Sequence, residues 1–169
     1  MKNLRFLALA SLCAASVAAQ AFTIDVQSRG KVTNGFSVLF TEAVVYQWTS
    51  VAMPVFDSLT YSIVNAAPPQ PGTGTFSNVG GDSMSFNLVL NNISSSSVSV
   101  SGDGNWLYTG GTGAYAGYAG GGTFAFSINT TTFASYSSYI GELRAVPEPA
   151  SMVVLGLGVA GLAARRLKK

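Results

Sequence analysis

Apolar and polar positions alternate with a period of two in several stretches of the chain. Phe22, Ile24 and Val26 alternate with Thr23 and Asp25, and Leu59, Tyr61 and Ile63 repeat the pattern. Met84, Phe86, Leu88 and Leu90 alternate with Ser83, Ser85, Asn87 and Val89, and Phe124, Phe126 and Ile128 with Thr123, Ala125 and Ser127. Successive side chains of a strand point to opposite faces, so each run predicts a half-buried strand. "AVVYQWTSV" at 43–51 is longer and more continuously apolar, which predicts a strand covered on both faces. "SSSSVSVSG" at 94–102 predicts an edge strand with a solvated serine face. The segments "RGKVTNG", "NAAPPQPG", "NVGGD" and "SGDGN" read as turns between the runs. Asn34-Gly35 and Asp103-Gly104 have hairpin chemistry, and "PPQP" at 68–71 reads as an exposed loop. No stretch of 22–146 has the pattern of a long amphipathic helix. The expected domain is all-β, mainly antiparallel, with roughly eight to ten strands; a closed barrel and a two-sheet sandwich both fit. Its expected core includes Phe86, Leu88, Trp106, Tyr115, Phe124, Phe126 and Ile128.

Both ends of the chain depart from this pattern. Lys2 and Arg5 precede the apolar run "FLALASLCAAS", and "VAAQA" follows. Charge, apolar core and an Ala19-x-Ala21 cleavage pattern come in the order of a secretory signal peptide over 1–21, cut between Ala21 and Phe22, with a cut after Ala19 as the near alternative. That order implies signal peptidase and the Sec translocon as partners. Cys13 lies inside the discarded segment, and Leu12 before it does not suit a lipoprotein signal. At the other end, Pro147-Glu148-Pro149 precedes the uncharged run 150–164, and "RRLKK" closes the sequence. Fifteen helical residues reach only about 22 Å, against a hydrocarbon core of about 30 Å. Snorkelling by Arg165, Arg166, Lys168 and Lys169 extends the span and holds those charges in the cytoplasm. The expected topology is an exported middle and a marginal membrane anchor formed by a C-terminal transmembrane helix.

Within that run Gly156, Gly158 and Gly161 have the G-x-G-x-x-G spacing of a dinucleotide fingerprint. The fingerprint needs a βαβ unit and an acidic residue about 20 positions on, and only eight residues follow Gly161. No cofactor is expected. A Pro-Glu-Pro tripeptide, a glycine-interrupted apolar helix and a basic end, behind a signal peptide, resemble instead the PEP-CTERM sorting signal, here over 147–169. The resemblance implies recognition by exosortase, a membrane-embedded cysteine transpeptidase of Gram-negative bacteria, and removal of the tail near Pro147–Pro149. It also implies a transient stay in the inner membrane, delivery to the cell surface or extracellular matrix, and association with exopolysaccharide and biofilm. The glycines then permit close helix packing in the membrane.

Between the ends, residues 22–149 hold three basic residues (Arg29, Lys31, Arg144) and seven acidic ones, a net charge of −4 against +2 for the whole chain. An acidic mature domain argues against nucleic-acid binding. Residues 22–146 suffice for one extracytoplasmic domain with its own core, and with Cys13 discarded it has no disulfide. The chain has no histidine, which excludes Ser-His-Asp and Cys-His chemistry and any His-ligated metal. Lys31 sits in a predicted turn, and Asp82 and Asp103 sit beside glycines, where short acidic side chains stabilise the turn itself. Asp57, Asp82 and Asp103 supply the residue type for paired-carboxylate hydrolysis without its context; weak calcium binding at Asp82 or Asp103 stays open, although no D-x-D-x-D-G loop exists. No metal site is expected.

One internal motif stands out. Gly110, Gly111, Gly113, Tyr115, Gly117, Gly120, Gly122 and Phe124 lie in "GGTGAYAGYAGGGTFAF". Read physically, it is a glycine-rich barrel corner, with Tyr115 and Phe124 filling the space the glycines leave. It also resembles a segment of allene oxide cyclase-like and dirigent-like eight-stranded barrels, which implies a barrel and, through that likeness alone, a cyclase-like enzyme. The favoured reading is a non-enzymatic, exosortase-sorted surface or matrix protein. The alternative is a binding module for a glycan on an exposed aromatic face or a lipophile in the barrel mouth. An open interior with Asp57, Arg29 or Glu42 pointing into it would favour a ligand-binding or cyclase-like barrel.

Overall fold

A computed structural model describes residues 21–33, 37–64 and 67–146. The expected signal peptide up to Gln20, the Asn34-Gly35 dipeptide, the Pro-Glu-Pro tripeptide, the apolar run after it and the basic end lie outside the described residues. Residues Ala21–Arg144 form one compact unit. Its strands are β1 (Ala21–Thr33), β2 (Ser37–Thr49), β3 (Ser58–Val64), β4 (Gln70–Ser77), β5 (Ser83–Ser95), β6 (Ser99–Thr112), β7 (Tyr118–Asn129) and β8 (Ala134–Ala145). They close into an eight-stranded barrel in chain order. β8 returns antiparallel to β1, with Phe22 opposite Leu143 and Ser28 opposite Ser137. The barrel therefore wins over the sandwich, and closure removes every edge.

The interior follows the period-two pattern. Phe22, Ile24, Val26, Leu59, Tyr61, Ile63, Met84, Phe86, Leu88 and Leu90 are all buried. So are Trp106, Tyr115, Phe124 and Phe126, whereas Ile128 is only partly buried against the core. Aromatic rings dominate the filling. Phe40 stacks on Tyr61 at 4.0 Å, and Tyr139 meets the rings of Phe76, Phe86 and Phe124 at 5.1, 5.3 and 5.7 Å between centroids. Each fully buried ring or aliphatic side chain contributes about 1.5–3 kcal/mol by leaving water.

Several sequence expectations are corrected here. "RGKVTNG" is not a turn as a whole, because β1 runs on to Thr33 and Lys31 pairs with Thr41 on one side and Ala134 on the other. "SGDGN" is the middle of β6, and Asp103 there faces solvent. Its glycines are inward strand positions over which aromatic rings lie. A Cβ on Gly102 would come 2.8 Å from the Phe126 ring, and one on Gly104 equally close to that of Phe124. "SSSSVSVSG" is not an edge strand; Ser96–Val98 form the β5–β6 turn and the serines on either side are strand ends. "PPQP" is only half loop, since Gln70 and Pro71 open β4 and Gln70 is buried. "AVVYQWTSV" is not covered on both faces. Val45, Tyr46 and Trp48 are 55, 46 and 50% exposed. The register between β1 and β2 shifts at Gln27/Ser28. The bulge reverses the in/out phase, so Glu42 points inward before it and Gln47 after it, and two successive outward residues read as a continuous apolar run.

Candidate functional site

Period-two alternation brings one carboxylate into the interior. Glu42 lies between inward Phe40 and Val44 on β2 and is 3% exposed. Ser28 on β1 donates to its Oε2 at 2.6 Å, and the Ser137 hydroxyl on β8 donates to the same oxygen. The two serine hydroxyls are 2.8 Å apart. This trio joins β2, β1 and β8 where the barrel closes. Glu42 Oε1 and Ser135 Oγ are buried without a protein hydrogen-bond partner among the described residues. No described cation reaches Glu42: Lys31 is exposed, Arg29 lies over the Tyr136 ring and Arg144 pairs with Glu142 at the surface. Burial, then neighbouring Tyr139 and Glu42, raises the Tyr61 phenol well above the usual range. Burial, then Glu42, does the same to Tyr139. Both phenols stay protonated and serve as packing surface. A carboxylate and two phenols are acid–base groups in kind, but the rings of Phe40, Phe76, Phe86 and Phe124 pack around them. Of the three residues whose inward aim would mark an open site, only Glu42 points in, buried among Ser28, Ser137, Tyr61 and Tyr139. Arg29 is outward on β1, and Asp57 Oδ2 accepts the Val79 N–H at 2.8 Å in a loop contact.

The glycine-rich motif builds one end of the barrel. Gly110 and Gly111 end β6, Gly113 and Tyr115 form a 3-10 turn, Gly117 precedes β7, and Gly120, Gly122 and Phe124 lie in β7. Gly113 has φ +57°, and its missing Cβ makes room for Asp82, whose Oδ1 accepts the Ala114 N–H at 3.2 Å. The turn drops Tyr115 into the barrel mouth, fully buried and stacked on Phe56 at 4.3 Å. Its hydroxyl donates to the Pro54 carbonyl at 2.5 Å and accepts from Gln47 Nε2 at 3.0 Å. Gln47 Oε1 in turn accepts the Phe56 N–H at 2.8 Å. Burial pushes the Tyr115 phenol up to about 12. The mouth is thus a plug, with loop 50–57 folded over it. Sequence reasoning found Tyr115 but missed its partners Gln47, Pro54 and Phe56, because the bulge hid the inward aim of Gln47. It also missed Ser28 and Ser137, since an inward serine leaves no periodic signal; Glu42 did leave one, as a charge in the apolar phase of β2.

The other acidic candidates act locally. Asp82 closes the β4–β5 turn by accepting from Asn78 and Ala114, and Asp103 accepts from Asn92 Nδ2 at 2.9 Å on the surface. Among the described residues no group of three or more Cys, Asp or Glu side chains is placed to hold a metal ion. The two hollows that stand out, of about 310 and 280 Å³, are grooves on the outside, one over β3–β5 and one over β5–β7.

Residues 145–169 match the family model for the PEP-CTERM protein-sorting motif. No curated protein and no solved structure matches the chain, so the internal likeness to cyclase-like and dirigent-like barrels gains no support.

Proposed function

From a chain that carries a PEP-CTERM protein-sorting motif at residues 145–169, and is on that ground an exosortase-sorted surface or secreted protein, we propose a precursor whose barrel is non-catalytic cargo. The signal peptide directs the chain across the inner membrane, where the apolar tail holds it. Exosortase reads Pro147-Glu148-Pro149 and removes the tail. The barrel then joins the cell surface or the extracellular matrix, in company with exopolysaccharide. What supports the non-catalytic part is the enclosure of the one inward carboxylate: Glu42 is buried, and its Oε2 is held by two serines in an interior lined mainly by aromatic rings. The histidine-free sequence supports the same reading. The lipophile reading is disfavoured at the end of the barrel that the glycine-rich motif builds, where Tyr115 and Phe56 fill the mouth.

The test is processing in a host that has exosortase. The released protein should begin near Phe22 and lack 150–169 by intact mass, and Glu148→Ala should leave the precursor in the membrane with its barrel folded. Release of the Glu148→Ala chain at the wild-type rate would reject the tripeptide as the recognition element.

A further inference from the structure

The outer face of β8, β1 and β2 differs from the rest of the barrel. Ladder partners lie directly opposite one another on the same face, so the register places Trp48 and Ile140 on either side of Asp25, and Tyr46 beside Gln27. One step along, Tyr136 lies opposite Arg29. Trp48, Tyr46 and Ile140 are about half exposed. The central strand therefore presents a line of three hydrogen-bonding side chains, with rings or apolar groups on both flanking strands about 4.8 Å away. The line is already oriented. Arg29 is held over the Tyr136 ring with its Cζ 5.6 Å from the centroid, and the Tyr136 hydroxyl donates to Gln27 Oε1 at 2.7 Å. That bond occupies the acceptor of Gln27 and leaves its amide donor. Asp25 Oδ1 is a buried acceptor with no protein partner among the described residues, directly beside Trp48.

We propose that this face is a binding platform for a neutral polysaccharide, with Trp48 and Tyr46 as stacking surfaces and Asp25, Gln27 and Arg29 as hydroxyl partners. A sugar ring has a C–H face, whose partially positive hydrogens suit the negative face of an indole or phenol, and an equatorial rim of hydroxyls that both donate and accept. Trp48 and Tyr46 are about 7 Å apart along the strand, close enough for consecutive rings of one chain to rest on both. The polar line offers two donors, the Gln27 amide and the Arg29 guanidinium, and the carboxyl of partly exposed Asp25, which a hydroxyl rim satisfies and a hydrocarbon surface does not. A lipid face or an apolar protein interface would leave Asp25 and Arg29 desolvated between the rings. Asp25 balances Arg29, Glu142 pairs with Arg144, and exposed Lys31 at the far end of β1 leaves a single positive charge, too little to select an acidic polymer.

The platform needs a folded barrel but not the sorting step, so failure of the Glu148→Ala test leaves it standing. The full chain in detergent micelles should be retarded in affinity electrophoresis through gels containing a soluble neutral glucan, galactan or mannan. Trp48→Ala should weaken the retardation about tenfold or more, as loss of a central aromatic anchor does. Leu107→Ala, which removes a 61%-exposed apolar side chain on β6, should leave it unchanged. Asp25→Asn, which keeps the size of the side chain but replaces an acceptor with a donor, should weaken it at an unaltered melting temperature. Absence of retardation by all three polymers would overturn the proposal. So would equal retardation of wild type and Trp48→Ala, or a self-association or vesicle binding that Trp48→Ala abolishes while no polymer binds.

Discussion

Gly104 is packed tightly against both the backbone of β5 and a core ring, and replacing it with alanine tests the inward placement of β6. In an ordinary strand this change is favourable, because alanine loses less chain entropy on folding. Here a Cβ would stand 2.0 Å from the Val89 carbonyl oxygen, 2.8 Å from the Phe124 ring and 2.9 Å from the Leu90 Cα. Two of these three neighbours are backbone, so β5 and β6 must part by more than about 1 Å to reach ordinary contact distance. Parting them strains the ladder and lifts Phe124 from its seat. Overpacking costs about 1–3 kcal/mol, and a weakened ladder bond adds about 1 kcal/mol, so the expected loss is about 3 kcal/mol. For a domain of this size that lowers Tm by about 10 °C or more. Gly110 is the control: it lies six residues on in the same strand, and nothing stands within 4 Å of its Cβ position. Gly110→Ala should stay within about 0.5 kcal/mol of wild type or gain slightly. Thermal and urea unfolding followed by circular dichroism would read both. Gly104→Ala as stable as wild type, or equal losses at the two glycines, would refute the reasoning.

Two further outcomes follow from the plugged mouth and the buried phenols. Tyr115→Phe should cost about 1–2 kcal/mol, because Pro54 keeps the Gln47 Nε2 donor at 3.0 Å, while Tyr115→Ala should cost about 3–5 kcal/mol; equal losses would show that the ring contributes nothing beyond its hydroxyl. The Tyr115 phenol is raised to about 12, and Tyr61 and Tyr139 are raised well above the ordinary value. An unfolded chain releases those protons near pH 10, earlier than the folded one. Their contribution to stability is therefore complete below about pH 10 and falls as pH rises, for Tyr115 through its folded value of about 12. Phenolate absorbance from these three residues should appear only together with loss of the barrel's circular dichroism. Full ionisation of every tyrosine in a chain that stays folded would contradict this.

Much of the fold was written in local pattern. Alternation in 22–26, 59–63, 84–90 and 124–128 placed four of the eight strands, β1, β3, β5 and β7, and most of the core, since a one-residue slip would turn every apolar side chain outward. The sorting tripeptide, the apolar run and the basic end were equally legible, because a linear signal is read in order by its machinery. What the tertiary structure decided was the meaning of residues whose neighbours are remote in sequence. Gly102 and Gly104 looked like turn residues, but the rings of Phe126 and Phe124, from the next strand, lie over them. Glycine favours turns for its backbone freedom and strand interiors for the room it leaves, and sequence alone does not separate the two. The run 43–51 looked doubly covered because a bulge changed its phase, and that one residue set Gln47 inward to hold the plug and Tyr46 and Trp48 outward. Barrel against sandwich likewise rested on β8 pairing with β1, a contact between the two ends of the domain that no local pattern encodes.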